Sequence, residues 1–341
     1  MAGHRNMQRT ILATIIPLWL WASTLSFSVP TPRQKSLSVI RETTGQSISQ
    51  KAPESAFVEL SPQEQVLTTN LAEAGRKGDW SRVSQLYGRY TGSAEPVLTA
   101  AMQAAYRCKR YREAAKIYEK LSCAVKGLNQ VSLLVALKIF GKLRDPETVN
   151  SIWAEATERS LVDKRLCGAR IDAAAYMGDI EGAARVLDGM IAGKMELSVY
   201  VFNSAILACA SAARPSHNAA MYLFQSLLDN GFSPTIITFA NLAQAHAKAS
   251  LEQIQHMRAM MKRYNVRSNA VFAECCLGAL FQRRTNPTTR TTRAIDAALA
   301  DLHQREARLK EAESVLLELQ ANKVELTTLC RRILKYVQET V

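Results

Sequence analysis

From Glu64 onward the chain alternates short apolar helical stripes with polar breaks, and the alternation recurs. EAAKIYEKL (Glu113 to Leu121), EGAARVLDGM (Glu181 to Met190) and NAAMYLFQSL (Asn218 to Leu227) share an alanine, two bulky residues three and four places on, and an apolar residue one turn later. That i, i+3, i+4, i+7 stripe marks an amphipathic helix. Counting back from it puts unit starts at Glu64, Glu95, Gln130, Lys164, Val199, Ile236 and Asn269, 31 to 37 residues apart. A polar break divides the units, as RKGD before Trp80, MGDIEG around Gly178 and Asp179, and RPSH from Arg214 to His217. Each unit is expected to be a hairpin of two helices of about 14 residues, about 21 Å long. Such a hairpin cannot bury its apolar face alone, so stacked neighbours must cover it and the array is a solenoid. VYVFNSAI does not read as a strand, because ILACASAA after it keeps the helical period.

Composition agrees with a helical chain. Of 341 residues, 48% are hydrophobic, which excludes a mostly disordered protein, and 15 glycines and 10 prolines are too few for a loop-rich β fold. The formal charge of +13, from 43 Lys and Arg against 30 Asp and Glu, favours RNA, DNA or an anionic membrane surface as partner. The plainer account gives those charges to a targeting segment and an ordinary solvated surface. Cys108, Cys123, Cys167, Cys209, Cys275, Cys276 and Cys330 form an odd set without CxxC spacing. They are expected as small hydrophobes in a reducing compartment, not as a disulfide framework.

The first 63 residues differ from the rest. MAGHRNMQRT leads into ILATIIPLWLWASTLSF, with Pro17 inside the apolar run, and residues 1–26 read as a signal-peptide-like segment; a membrane anchor is the competing reading. In residues 27–63, Phe27 is followed by SVPTPRQKSLSVIRETTGQSISQ, rich in Ser and Thr, with Arg33, Lys35 and Arg41 ahead of the first acid, Glu42. That is transit-peptide composition. The junction ASTLSFSVP, with Phe27, resembles the two-part plastid leader of algae whose plastids carry extra membranes. The resemblance implies the plastid (chloroplast) stroma, with no stable membrane insertion after leader removal. A mitochondrial or a secreted protein is the alternative.

Period alone does not separate tetratricopeptide repeats from their relatives, but no unit carries their Trp, Leu-Gly and Tyr set. VYVFNSAILACA followed by MYLFQSLLDNGFSPT is similar instead to a pentatricopeptide repeat, through Phe202-Asn203, Leu223-Phe224, Leu227, Gly231 and Pro234. The unit from Lys164 to Ser198 follows ungapped with Gly178, Ala183 and Met190 in place, and the resemblance extends from Glu64 to about Ser268. It implies an all-α, right-handed α-solenoid of about seven two-helix repeats over residues 64–290, with the first helices lining the face that binds single-stranded RNA, one base per repeat. The fifth residue of each unit and the last residue before the next would select the base. Those pairs are Thr68/Ala94, Thr99/Asn129, Leu134/Asp163, Gly168/Ser198, Asn203/Thr235 and Ala240/Ser268. Thr99/Asn129 resembles the adenine-selecting combination, and Asn203 leans towards a pyrimidine. Leu134, Gly168 and Ala240 cannot present the amide or hydroxyl that a Watson–Crick edge requires.

The thirteenth residues are Arg76, Arg107, Lys142, Tyr176, Ser211, Lys248 and Phe281. The four cations would form a stripe, and in the family a lysine near this place approaches phosphates; attraction of cations to helix ends explains them equally. Second-position Val131, Tyr200 and Ile237 are candidates for stacking on bases, with Tyr200 the best by size; groove filling is the alternative for it. A basic run from Arg258 to Arg293, with Lys262, Arg263, Arg267, Arg283, Arg284 and Arg290 against Glu274, includes the segment QRRTNPTTRTTR. It reads as a solvated linker or as an RNA-contacting arm.

In residues 291–341, Leu309, Ala312, Leu316, Leu319, Lys323, Leu326, Cys330, Ile333 and Val337 alternate steps of three and four. A coiled-coil helix for a protein partner would read this way; so would a degenerate final hairpin, since KEAESVLLELQ carries the second-helix landmark, and the hairpin is favoured as a cap. The sequence has no phosphate-cradling glycine loop, no HExxH, no metal-spaced Cys/His cluster and no GxSxG, and its five histidines are scattered. No catalysis, cofactor, metal or small-molecule substrate is therefore expected. The expected function is passive binding of single-stranded RNA in organellar RNA processing, stability or translation; the alternative is a helical-repeat scaffold in an organellar complex.

Overall fold

The computed structural model describes residues 60–282 and 304–340. The leader-like segment up to residue 59 and most of the segment QRRTNPTTRTTR, with Arg283, Arg284 and Arg290, lie outside them. The described residues contain fifteen helices and no strand. Six helical hairpins follow in order: α1 Pro62–Lys77 with α2 Trp80–Gly88, α3 Glu95–Arg107 with α4 Tyr111–Ala124, α5 Gln130–Leu143 with α6 Pro146–Glu158, α7 Lys164–Met177 with α8 Ile180–Ala192, α9 Val199–Ser211 with α10 His217–Asp229, and α11 Ile236–Ala245 with α12 Leu251–Arg263. They are followed by α13 Ala270–Leu280, α14 Arg305–Ala321 and α15 Thr328–Thr340. Each first helix packs on the first helix of the next unit, from α1 through α13, and on its own second helix. The molecule is an α-solenoid.

The polar breaks turn the chain by one recurring device. Gly78 and Gly178 end α1 and α7 in the left-handed region, and the following Asp79 and Asp179 accept from the backbone N–H of Arg82 and Gly182 to open α2 and α8. Asn129, Asp163, Thr235, Ser250 and Asn269 cap α5, α7, α11, α12 and α13 in the same way, at about 1 kcal/mol each. The seventh first helix thus starts at Ala270, one residue later than spacing alone places it, because the Asn269 side chain takes the Phe272 N–H at 2.8 Å.

The core is a strip running between the helix layers. One part gathers α1 to α7 and the other α7 to α15, and Trp153 and Val162 pack against both. Phe202 and Phe224 of the fifth unit, Phe239 of the sixth and Phe272 of the seventh are fully buried. Five cysteines are buried and all seven are free thiols; burial pushes the Cys276 thiol up to about 12.

α14 lies against α13, in the place of its second helix, and α15 packs on both. Buried Arg308 donates to the carbonyls of Leu280 (2.9 Å) and Ala249 (3.3 Å), fastening α14 to the end of α13 and to the α11–α12 link. Arg258 of α12, 6% exposed, pairs with Glu311 and, at 2.9 Å, with Glu318 of α14. Arg258 is therefore an internal fastening and not part of a basic surface.

Two contacts between units generate predictions. At the twelfth place of its unit, Gly141 meets Ala173 of the next first helix so closely that a Cβ would stand 2.6 Å from the Ala173 Cα; Gly75 meets Ala104 likewise at 2.7 Å. Gly141→Val should cost about 1–3 kcal/mol by overpacking, read as a shifted denaturant midpoint with helicity retained. His246, at the end of α11, is buried, with Nδ1 2.7 Å from the Leu242 carbonyl and the His217 ring 5.6 Å away. Burial first, and then neighbouring His217 and His256, push its pKa from 6.5 down to about 4, while the Leu242 hydrogen bond opposes the shift. The unfolded chain therefore takes a proton that the native ring refuses as pH falls through this window. Stability should be unaffected by this group above pH 6.5 and drop by about 3 kcal/mol on acidification to pH 4. His246→Gln should flatten that limb in denaturation curves taken across the window.

Candidate nucleic-acid interface

Because the first helices repeat in register, side chains at one place in the unit form rows across them. Four rows carry the candidate chemistry. The second-position row stands out to solvent: Val131 on α5, Tyr200 on α9, Ile237 on α11 and Val271 on α13 are 47%, 60%, 60% and 60% exposed. Of eight large apolar side chains exposed among the described residues, these are four. Scattered apolar exposure is ordinary, but recurrence at one place in the third, fifth, sixth and seventh units makes a surface, with exposed Arg165 at that place in the fourth. Val271 joins the row only once α13 is known to start at Ala270.

The fifth-position row is sheltered. Thr99 and Asn203 are each 7% exposed, and Leu134 and Ala240 are also buried. Thr99 and Asn129 are brought into one network: the Thr99 and Ser132 hydroxyls are 2.7 Å apart, the Ser132 hydroxyl donates to Glu95 Oε1 at 3.0 Å, and the Asn129 N–H donates to the same oxygen at 2.9 Å. The Asn129 side chain in turn accepts from the Ser132 N–H. These polar atoms thus bind the second unit to the third. Asn203 and Thr235 are not joined. Thr235 caps α11, accepting from the Thr238 N–H, and the Asn203 carbonyl takes a bond from Asn241 Nδ2 at 2.9 Å. Asn203 Oδ1 is buried and has no partner among the described residues, an acceptor ready for a donor. The sixth pair becomes Ala240 with Asn269, since the cap of the next first helix is the last residue in every other unit.

The thirteenth-position row is cationic in part. Arg76, Arg107 and Lys248 are exposed, Lys142 is half-buried, and among the described residues none of the four pairs with a carboxylate. Lys142 Nζ lies 3.6 Å from the centroid of the Tyr176 ring, which shows that thirteenth residues of successive units touch. Arg76, Arg107 and Lys142 lie in the last turns of their helices, where the macrodipole favours cations; Lys248 lies beyond the end of α11. In the seventh unit the place falls to Gln282, because that unit starts at Ala270, and Phe281 is buried.

The ninth-position row was not singled out from sequence. It holds Gln103, Lys138, Asp172, Leu207 and Gln244, all half-buried. Tyr106 lies near it, its phenol pushed up to about 12 by burial first and then by Tyr176, Tyr111 and Asp172. Among the described residues no group of three His, Cys, Asp or Glu could hold a metal ion, and no helix is long and apolar enough to cross a membrane.

No family model matches the sequence, and no curated protein is similar to it. Solved structures are similar in fold. The crystal structure of the pentatricopeptide repeat protein PPR10 in complex with an 18-nt psaJ RNA element has a TM-score of 0.54 at 15% identity, covering 82% of this chain and 43% of that one. A cysteine-to-serine variant of the same protein, with the same element, gives the same values. This chain thus spans under half the length of the structures it matches. The fold of the described residues is that of a pentatricopeptide repeat array.

Proposed function

We propose that this chain binds single-stranded RNA along the face formed by its first helices. The observation that carries the reading is the exposed second-position row, Val131, Tyr200, Ile237 and Val271, in a molecule whose thirteenth-position cations lack carboxylate partners. Stacking needs an exposed, flat or apolar side chain at each step, and phosphate binding needs unpaired cations at a matching period. The two similar structures contain a pentatricopeptide protein bound to RNA, and that supports the same use of this face. Base selection is confined to few units: Asn203 offers an open acceptor, while Leu134, Gly168 and Ala240 offer none. The protein acts without catalysis, shielding or remodelling an organellar transcript during processing, stabilisation or translation. The two-part leader composition supports the plastid as its location.

Filter binding to a mixed single-stranded RNA pool across a salt series tests the first claim. Four phosphate contacts give a log–log slope of about −3, and changing Arg76, Arg107, Lys142 and Lys248 to Ala should bring the slope near zero. Absence of binding above background at low salt would overturn the reading in favour of a protein-binding scaffold. For location, a fluorescent fusion of residues 1–60 is expected in the plastid; retention in the secretory pathway or import into mitochondria would refute it.

A further inference from the structure

Asp172 is an acid on the face whose cations are left unpaired, at the ninth place of α7 and half-buried. A carboxylate there repels phosphate, so its presence needs another reason. Both of its oxygens receive hydroxyls from α9, the first helix of the next unit: Tyr200 donates to Oδ2 at 2.5 Å and Ser204 donates to Oδ1 at 2.7 Å. The Tyr200 residue is nonetheless 60% exposed. An exposed tyrosine ordinarily samples several rotamers, whereas this ring is held at the helix by its Cβ and at the far end by its hydroxyl. The proton stays on the phenol, because burial first and then the Asp172 carboxylate raise its pKa. Tyr176, whose ring carries the Lys142 ammonium, lies close enough to act on the same phenol. Val131, Ile237 and Val271, the other large apolar members of the second row that stand exposed, have no polar end to be held by.

We propose that Asp172 is a positioning residue that fixes the ring of Tyr200 as a stacking platform for one RNA base, making the junction of the fourth and fifth units the strongest single base contact of the groove. This rests on the RNA-binding reading above. A ring already immobilised loses no rotamer freedom when a base stacks on it, and that saving is the source of the added affinity. A purely structural role is a weak alternative, because α7 and α9 already pack along their length through buried Ile171, Ala174, Ala205 and Ile206.

The test is binding of the full chain to the same RNA pool by the parent, Tyr200→Ala, Tyr200→Phe, Asp172→Asn, and the double variant Asp172→Asn with Tyr200→Ala. Tyr200→Ala should weaken binding about tenfold. Tyr200→Phe and Asp172→Asn should each weaken it about threefold to tenfold, and Asp172→Asn should cause no further loss in the Tyr200→Ala background. The salt slope should not change, because no phosphate contact is lost. Removing a negative charge beside phosphates would by itself tighten binding, so a loss at Asp172→Asn has the opposite sign from bulk electrostatics. Parent-like or tighter binding by Asp172→Asn, or parent-like binding by Tyr200→Ala, would overturn the positioning role while leaving RNA binding intact. A parent that binds no RNA would instead remove the reading on which this rests.

Discussion

Everything in this molecule depends on the close approach of one first helix to the next. A hairpin of two short helices leaves one apolar face uncovered, and only a neighbour in the same register can cover it. The approach is set by small residues: Gly75 against Ala104 and Gly141 against Ala173 bring backbones nearer than any side chain at the glycine would permit. Register follows from that contact. Once the twelfth place of one unit meets the tenth of the next, the second, fifth, ninth and thirteenth places must also fall into rows. The surface that could hold a strand of nucleic acid is thus a consequence of how the core closes.

The same dependence explains what could be read from the sequence. Buried positions must recur at every unit, so period, hairpin count and the apolar landmarks were all legible. Helix starts were legible only as far as spacing allowed. The one-residue offset at Asn269 is decided by a side chain bonding the Phe272 N–H, and spacing carries no trace of that bond. α14 was legible as a second helix through Ala312, Val315, Leu316 and Leu319, although it begins only at Arg305, far along the chain from the end of α13 at Leu280. Arg258 looked like the start of a basic surface because its partners, Glu311 and Glu318, lie 53 and 60 residues further on. Ion pairs between units are invisible to any local pattern, and so were the contacts of Asp172.

Rows that serve recognition obey a different rule from rows that serve the core. A core row fails if one member is wrong, since an uncovered or overfilled site costs a sizeable part of a small total stability. An exposed row tolerates gaps, since each member contributes separately. This accounts for Tyr176 and Ser211 among the cations of the thirteenth. The Thr99 hydroxyl has been drawn into the Ser132 and Glu95 network, which ties the second unit to the third. A residue type suited to reading a base has here become part of the frame, and residue type without its hydrogen-bond partners does not distinguish the two uses.

Charge sharpens the point. Where cations line a face without partners, the field favours a polyanion over its whole length and steers approach without choosing a sequence. Choice must come from short-range contacts that are fixed before the ligand arrives. Two such features stand on α9 among the described residues: the open acceptor of Asn203 and the ring of Tyr200 with its hydroxyl bound to Asp172. Both belong to α9, three residues apart and therefore on neighbouring turns of one helix surface. A base stacked on Tyr200 and a donor reaching Asn203 would meet at a single unit, so the proposed discrimination would be concentrated there while the remaining units would supply length and charge.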